Sequence, residues 1–148
     1  MPFSNYFLQK LIQYGLGNVP FTPPANVWLG LSSSEPTQAA GAGVWNFSEP
    51  AIGTNGYARY ELANSDLVFV PAGTPLVNGF QVVVAPAVEM AESTGPWSAG
   101  VALDWFGLFD AATAGNLLGY GALTPPLTVA AAGYIPEFPA GQLTASLV

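Results

Sequence analysis

Turn-forming residues punctuate this chain from one end to the other. Glycine and proline number 17 and 14 among its 148 residues. They separate short apolar runs at the spacing of about 8–12 residues that marks an antiparallel sandwich or barrel. One segment escapes the punctuation. Ser4 precedes NYFLQKLIQYGLG, in which Phe7, Leu8, Leu11 and Ile12 form an apolar stripe at helical spacing with Tyr6 and Tyr14 on its flanks. Gly15 and Gly17 are placed to end that helix. So short a helix is marginal alone and has to dock on a larger body or a neighbour.

Beyond a proline-rich FTPPAN (21–26), strands are predicted over NVWLGL (26–31), LVFV (67–70), FQVVVA (80–85), VALDWFGLF (101–109) and NLLGYGAL (116–123). A further strand is predicted after the tight-turn pair Asn55-Gly56, where Tyr57, Arg59 and Glu61 alternate with Ala58, Tyr60 and Leu62. One or two more fall in the closing LTVAAAGYIPEFPAGQLTASLV, and 32–43, 71–79 and 92–100 are loops. The expectation is all-β: an antiparallel β-sandwich or barrel-like domain of about seven or eight short strands with one short N-terminal helix. A single domain spans 1–148, its helical segment at 1–20 and its β body at 21–148.

Charge is scarce. Only 7% of residues are charged, against roughly 25% in ordinary soluble domains. Nine carboxylates oppose Lys10 and Arg59 for a net charge of −7. Phosphate neutralisation needs clusters of Lys and Arg, so no nucleic-acid partner is expected. An anionic membrane surface would repel the chain, and no apolar run approaches the ~18 residues of a spanning helix, so no membrane partner is expected either. MPFSNYFLQK lacks a basic region ahead of a long apolar stretch, so no secretory signal is expected. With neither cysteine nor histidine, disulfides, thiolate chemistry and Cys or His metal sites are excluded.

The acids make a poor catalytic set. Asp104 and Asp110 lie ~20 Å apart along an extended strand, too far for glycoside chemistry within it. Glu89 and Glu92 point to opposite faces if extended, and no G-x-S-x-G elbow is present. No D-x-D-x-D-G spacing supports a calcium loop. Asp110 has a structural explanation instead: its carboxylate bonds backbone amides two or three residues on and shapes the loop closed by Gly115-Asn116. No enzyme activity, metal or cofactor is expected.

Four tryptophans suggest contact surfaces. Trp28 and Trp105 sit mid-strand, as core residues do. Trp45 and Trp97 sit in loops beside small polar residues, where a ring serves either as a ligand platform or as an interface anchor. If they bind a sugar ring, Tyr57 or Tyr60 is near enough in sequence to help.

The paired strands VALDWFGLF and NLLGYGAL are apolar on both faces. Leu103, Trp105, Gly107 and Phe109 are predicted on one face of the first and Ala102, Phe106 and Leu108 on the other. The second sets Leu118, Tyr120 and Ala122 against Leu117, Gly119, Gly121 and Leu123. A solvent-facing hairpin would alternate apolar with polar residues. This one calls for covers on both sides: the N-terminal helix, and a second copy or partner.

Three stretches carry a resemblance: FTPPANVWLGLSSSEPT, then NGYARYE, then FGLFDAATAGNLLGYGALTPPLTVAAAGYIPEFPAGQLTASLV. Their order resembles a family of small bacteriophage structural proteins, commonly labelled tail-fibre or minor structural proteins. The family pattern is a helix, TPP…V-x-L-x-L-S-x-x-x-P, GYAR, and LFDAATGGNLL-x-YG-x-L-x-x-P-x-x-V. It covers about residues 4–34, 55–61 and 106–145. The resemblance implies a β-rich virion component without enzyme activity, usually part of a symmetric assembly. The chain contains no heptads or shaft repeats, which favours a capsid decoration (cement) protein on the outer shell, bound to the major capsid protein or other virion proteins. A small tail, baseplate or fibre adaptor, with host-glycan contact through Trp45 and Trp97, is the alternative. A homotrimer is expected, with Phe7 and Leu11 of the helix, Trp105, Phe106, Leu118 and Tyr120 of the hairpin, and Leu143 and Leu147 of the last strand facing neighbours.

Overall fold

The computed structural model describes residues 4–17, 19–38, 45–71 and 80–146. Helix α1 (Asn5–Gly17) is followed by β1 (Asn26–Ser32), β2 (Thr37–Gln38), β3 (Trp45–Asn46), β4 (Tyr60–Ala63), β5 (Leu67–Pro71), β6 (Phe80–Val84), β7 (Val88–Glu89), β8 (Leu103–Phe109), β9 (Leu117–Leu127), β10 (Glu137–Phe138) and β11 (Thr144–Ser146). The main sheet has the order β4-β1-β8-β9, and a second sheet has the order β11-β6-β5. Two short pairs, β10-β7 and β2-β3, accompany them. All pairings are antiparallel. The fold is all-β with one short N-terminal helix, and its sheets do not close into a barrel.

The two larger sheets bury a common core. Val27, Leu29 and Leu31 of β1, Phe106 and Leu108 of β8 and Leu123 of β9 meet Val82 and Val84 of β6 and Ala145 of β11. Alternation along β1 and β8 supplies these inward residues, as a sheet with one core face requires. At Gly121 β9 lies directly against the backbone of β11. A Cβ there would run into the backbone carbonyl of Thr144 and the Phe106 ring, so only glycine lets β9 pass under β11.

Two irregularities shift the hairpin away from strict alternation. The β8–β9 register slips between Leu103 and Trp105, and again between Leu108 and Phe109, where Leu108 pairs with Gly119 but Phe109 pairs with Leu117. The first slip sends Leu103 into the core beside Phe106 rather than to the face of Trp105. The second exchanges the predicted faces of Leu117 and Leu118: Leu118 joins the core, and Leu117 lies with Tyr120 on the far side. A bulge inserts one residue into one strand, so every residue beyond it changes face.

Ser4 caps α1 as expected. Its hydroxyl accepts the Phe7 amide at 3.2 Å, and its own amide donates to the Leu118 carbonyl at 3.0 Å, pinning the helix start onto β9. The helix runs through Gly15 to Gly17, so Gly15 is an interior residue and not a cap. The strand predicted from Tyr57 begins only at Tyr60, because 54–57 is spent on a turn: Asn55 and Gly56 have φ of 52° and 77°, and the Tyr57 amide donates to the Thr54 carbonyl at 3.0 Å. The loop predicted at 32–43 contains β2 within its described part, and the one at 92–100 ends in a 3₁₀ turn at Trp97–Gly100. Pro71, within the loop predicted at 71–79, closes β5; the rest of that loop lies outside the described residues.

Two substitutions separate the roles of the glycines. Gly15→Ala meets nothing within 4 Å and is expected to stabilise the fold by about 0.5–1 kcal/mol in urea unfolding. Gly121→Ala is expected to cost about 2 kcal/mol or more in the same measurement, because the obstructing atom is backbone.

Candidate functional site

The far face of the main sheet is covered from within the chain. Phe109, Leu117 and Tyr120 pack there against Trp28, Trp45, Phe47 and Trp105. Phe47 meets Phe109 edge-on with ring centroids 4.9 Å apart, and Tyr120 sits between Trp45 at 5.6 Å and Trp105 at 6.0 Å. Gly30 and Gly107 lie opposite each other across β1 and β8. A Cβ on Gly107 would strike Phe47 and Leu117 at 2.8 Å, and one on Gly30 would strike a Glu49 carboxylate oxygen at 2.6 Å. This glycine pair makes the slot into which the 45–49 segment settles.

Glu49 and Arg59 lie over the slot. Arg59 Nε donates to Glu49 Oε1 at 2.9 Å and Arg59 Nη2 to Oε2 at 2.8 Å, the bidentate geometry that suits guanidinium and carboxylate. Arg59 Nη1 donates to the carbonyls of Ala111 and Ala114 at 2.9 and 2.8 Å. Its guanidinium carbon stands 3.5 Å from the Phe109 ring centre, a cation–π contact. The Tyr57 hydroxyl donates to Glu49 Oε1 at 2.8 Å and accepts the Leu31 amide at 2.9 Å. One chain of bonds thus joins β1, the 45–49 segment, residues 57–59 and the β8–β9 loop. Burial, then the Glu49 charge, pushes the Tyr57 phenol well above its ordinary value.

The β8–β9 loop is held at its base as well. Asp110 accepts the Asn116 amide at 2.6 Å and the Asn116 side-chain amide at 2.8 Å. Its backbone partner is six residues on, rather than the two or three expected, because Asp110 closes the loop across its ends. Ala114 at φ 52° and Gly115 at φ 73° turn the chain back, and a Cβ on Gly115 would touch Asp110 at 2.6 Å.

These contacts correct several expectations. Trp97 is 1% exposed; its indole donates to the Asn55 carbonyl at 2.9 Å and its ring meets Tyr57 edge-on at 5.0 Å. It is a core residue and presents no platform to a ligand. Tyr57 is equally buried. Trp28 and Trp105 are half-buried on the far face instead of in the core centre. Trp45 is half-buried, and its Nε1 is buried with no acceptor among the described residues. Of the expected interface residues, Phe106, Leu118, Tyr120 and Leu143 are buried in their own chain. Trp105 and Phe7 are half-buried, Leu11 is exposed, and Leu147 lies outside the described residues. Over the hairpin's far face the 45–49 segment supplies cover from within the chain. Glu49 is a site residue that the sequence does not single out; the available signal is that the chain holds a single arginine, which needs a carboxylate if buried.

What remains open is α1. Phe7 and Leu8 pack on the core, yet Leu11, Ile12, Tyr14, Leu16 and the following Val19 are 44, 59, 61, 89 and 45% exposed. Exposed apolar patches of this kind mark interaction sites. Beside the helix lies a groove of about 340 Å³. Phe7, Leu11 and Tyr14 form one wall, Phe21, Pro23 and Pro24 another, and Val82 and Leu108 line it from the sheets. Among the described residues that line it, none is charged.

Removing the charge of Glu49 leaves Arg59, only 5% exposed, without its counter-ion. Glu49→Gln is expected to cost roughly 3 kcal/mol in chemical unfolding. Tyr57→Phe tests the same network by pH. A phenol raised in the folded state contributes stability that is complete below the ordinary value of 10.0 and is lost as pH rises beyond it. The unfolding free energy of wild type is therefore expected to fall more steeply above pH 10.0 than that of Tyr57→Phe; parallel curves would contradict the network.

No curated protein matches the chain. The family described as Podophage GP4 fiber I protein gp80 matches residues 2–146. The match takes in α1, both larger sheets, the Glu49–Arg59 pair and the β8–β9 loop together. The chain belongs to this phage fibre protein family.

Proposed function

We propose that this chain is a non-enzymatic structural subunit of a phage virion, a small fibre or tail component that acts by docking. The observation that carries the reading is the uncharged, exposed apolar face of α1, next to a main sheet whose far face is covered from within the chain. Family membership supports the virion location. The acids considered for catalysis support a structural role: both Asp110 oxygens are engaged by Asn116, while Glu89 and Glu92 are exposed, Glu89 opposite Glu137 in the β7–β10 pair. The subunit works with copies of itself, as a homotrimer, and with a neighbouring virion protein. Repetition on a symmetric particle lets modest contacts add through effective concentration.

Decoration of the outer capsid, against the major capsid protein, is the second reading. It is favoured by the short strands, the longest of 11 residues among those described. Glycan contact loses its support at Trp97, which is buried.

Cryo-electron microscopy of the intact particle decides the location. Density for this fold in a fibre or at the tail is the expected result. Regular clusters of it over the head lattice would establish decoration instead, and its absence from purified particles would overturn the structural role.

A further inference from the structure

We propose that the groove beside α1 is filled by the α1 helix of a second copy of this chain, head to tail, so that copies close into a ring. The inference deepens the structural reading above, and its place in a virion rests on that reading. Helical geometry supplies the first argument. At 3.6 residues per turn, Phe7, Leu11 and Tyr14 share one stripe, and Leu8, Ile12 and Leu16 share a second beside it. Together they make an apolar arc of roughly 200°, about twice what one docked helix needs. The first stripe walls the chain's own groove. Of the second, Leu8 packs on the core, while Ile12, 59% exposed, and Leu16, 89% exposed, are left open. One helix thus carries a groove on one side and an apolar ridge on the other, and within one chain the two cannot meet.

Charge says which partner suits them. All nine carboxylates lie from Glu35 onward, while the first 34 residues hold Lys10 as their only charge. Two copies of a chain with net charge −7 repel each other over most of their surface. The segment that carries both groove wall and ridge is where copies approach with no acid on either side. Lys10 lies on the polar arc with Tyr6, whose ring its ammonium faces at 5.7 Å, clear of the ridge.

The exposed apolar side chains from Leu11 to Val19, groove walls and ridge together, offer roughly 500 Å², at the upper end of what a monomer leaves open. In a ring each copy uses its ridge in one contact and its groove in another, so a single contact is smaller than the ~800 Å² per partner of a standard interface and is reinforced by ring closure. Ridge into groove joins two different surfaces, so the contact is heterologous and a closed cyclic assembly follows when the rotation permits. The recognition is that of an apolar helix in a groove, read at positions four apart.

Sedimentation equilibrium of the full chain tests this with two variants at exposed positions. Ile12→Glu/Leu16→Glu removes the ridge, and Pro23→Glu charges the groove rim; circular dichroism melting midpoints like that of wild type show that each folds. Wild type is expected to associate, each variant to associate at least tenfold more weakly, and an equimolar mixture to form a one-to-one heterodimer through the single intact ridge and groove. Wild type that stays monomeric to about 100 µM would overturn the inference and leave the groove to a different virion protein. Association that survives Ile12→Glu/Leu16→Glu would overturn it too, as would variants that fail to complement, which points to a symmetric helix-to-helix contact. None of these results depends on where the chain sits in a particle, so failure here and failure of the structural reading are separate outcomes.

Discussion

The bidentate pair between Glu49 and Arg59 organises most of this fold. A chain with two cations spends one of them at a nearly buried site, where an unpaired guanidinium would be prohibitive. Its guanidinium ties two segments together: Nε and Nη2 hold Glu49, and Nη1 holds the carbonyls of Ala111 and Ala114 in the β8–β9 loop. Tyr57 extends the link to the Leu31 amide of β1. The far face of the sheet is therefore closed by a short irregular segment held by charge and aromatic contact rather than by another sheet. That is why the hairpin can be apolar on both sides, and α1 with the following Val19 holds five of the large apolar residues left exposed.

The two motifs that carry the family resemblance turn out to be one device. In GYAR, Gly56 takes the positive φ of the turn, Tyr57 fills the core and Arg59 reaches over the far face of the sheet to Glu49 and the β8–β9 loop. In DAATAGN, Asp110 closes the loop base while Ala111 and Ala114 offer carbonyls to that same Arg59. Motifs some fifty residues apart meet because β1 lies between β4 and β8. Their chemistry is structural. It fixes a loop and a sheet face, and leaves no titratable group poised at an open cleft among the described residues.

Much of this was legible in the residues. Ser4 as helix cap, the all-β class, the Asn55-Gly56 turn and the β8–β9 hairpin all follow from local chemistry: capping, punctuation and apolar runs. What was not legible depends on contacts distant in sequence. Leu103, Leu117 and Leu118 were placed on the wrong faces because register slips are invisible to strict alternation. Trp97 looked like a loop residue and is the cap of a core that includes Tyr57. Glu49 had no sequence neighbour to announce its partner ten residues away. Of the expected interface, the α1 residues remain available while most of the hairpin ring is internal.

The central claim is that the uncharged face of α1 is where this subunit is held in its assembly. Hydroxyl-radical footprinting of intact particles against the free subunit tests it most directly, because Tyr14 and Leu16 are reactive and exposed in the isolated chain. The account predicts strong protection of Tyr14 and Leu16 in the particle, with Tyr134, exposed on the opposite part of the chain's sequence, as the comparison. Equal reactivity of Tyr14 and Leu16 in particle and free subunit would contradict it.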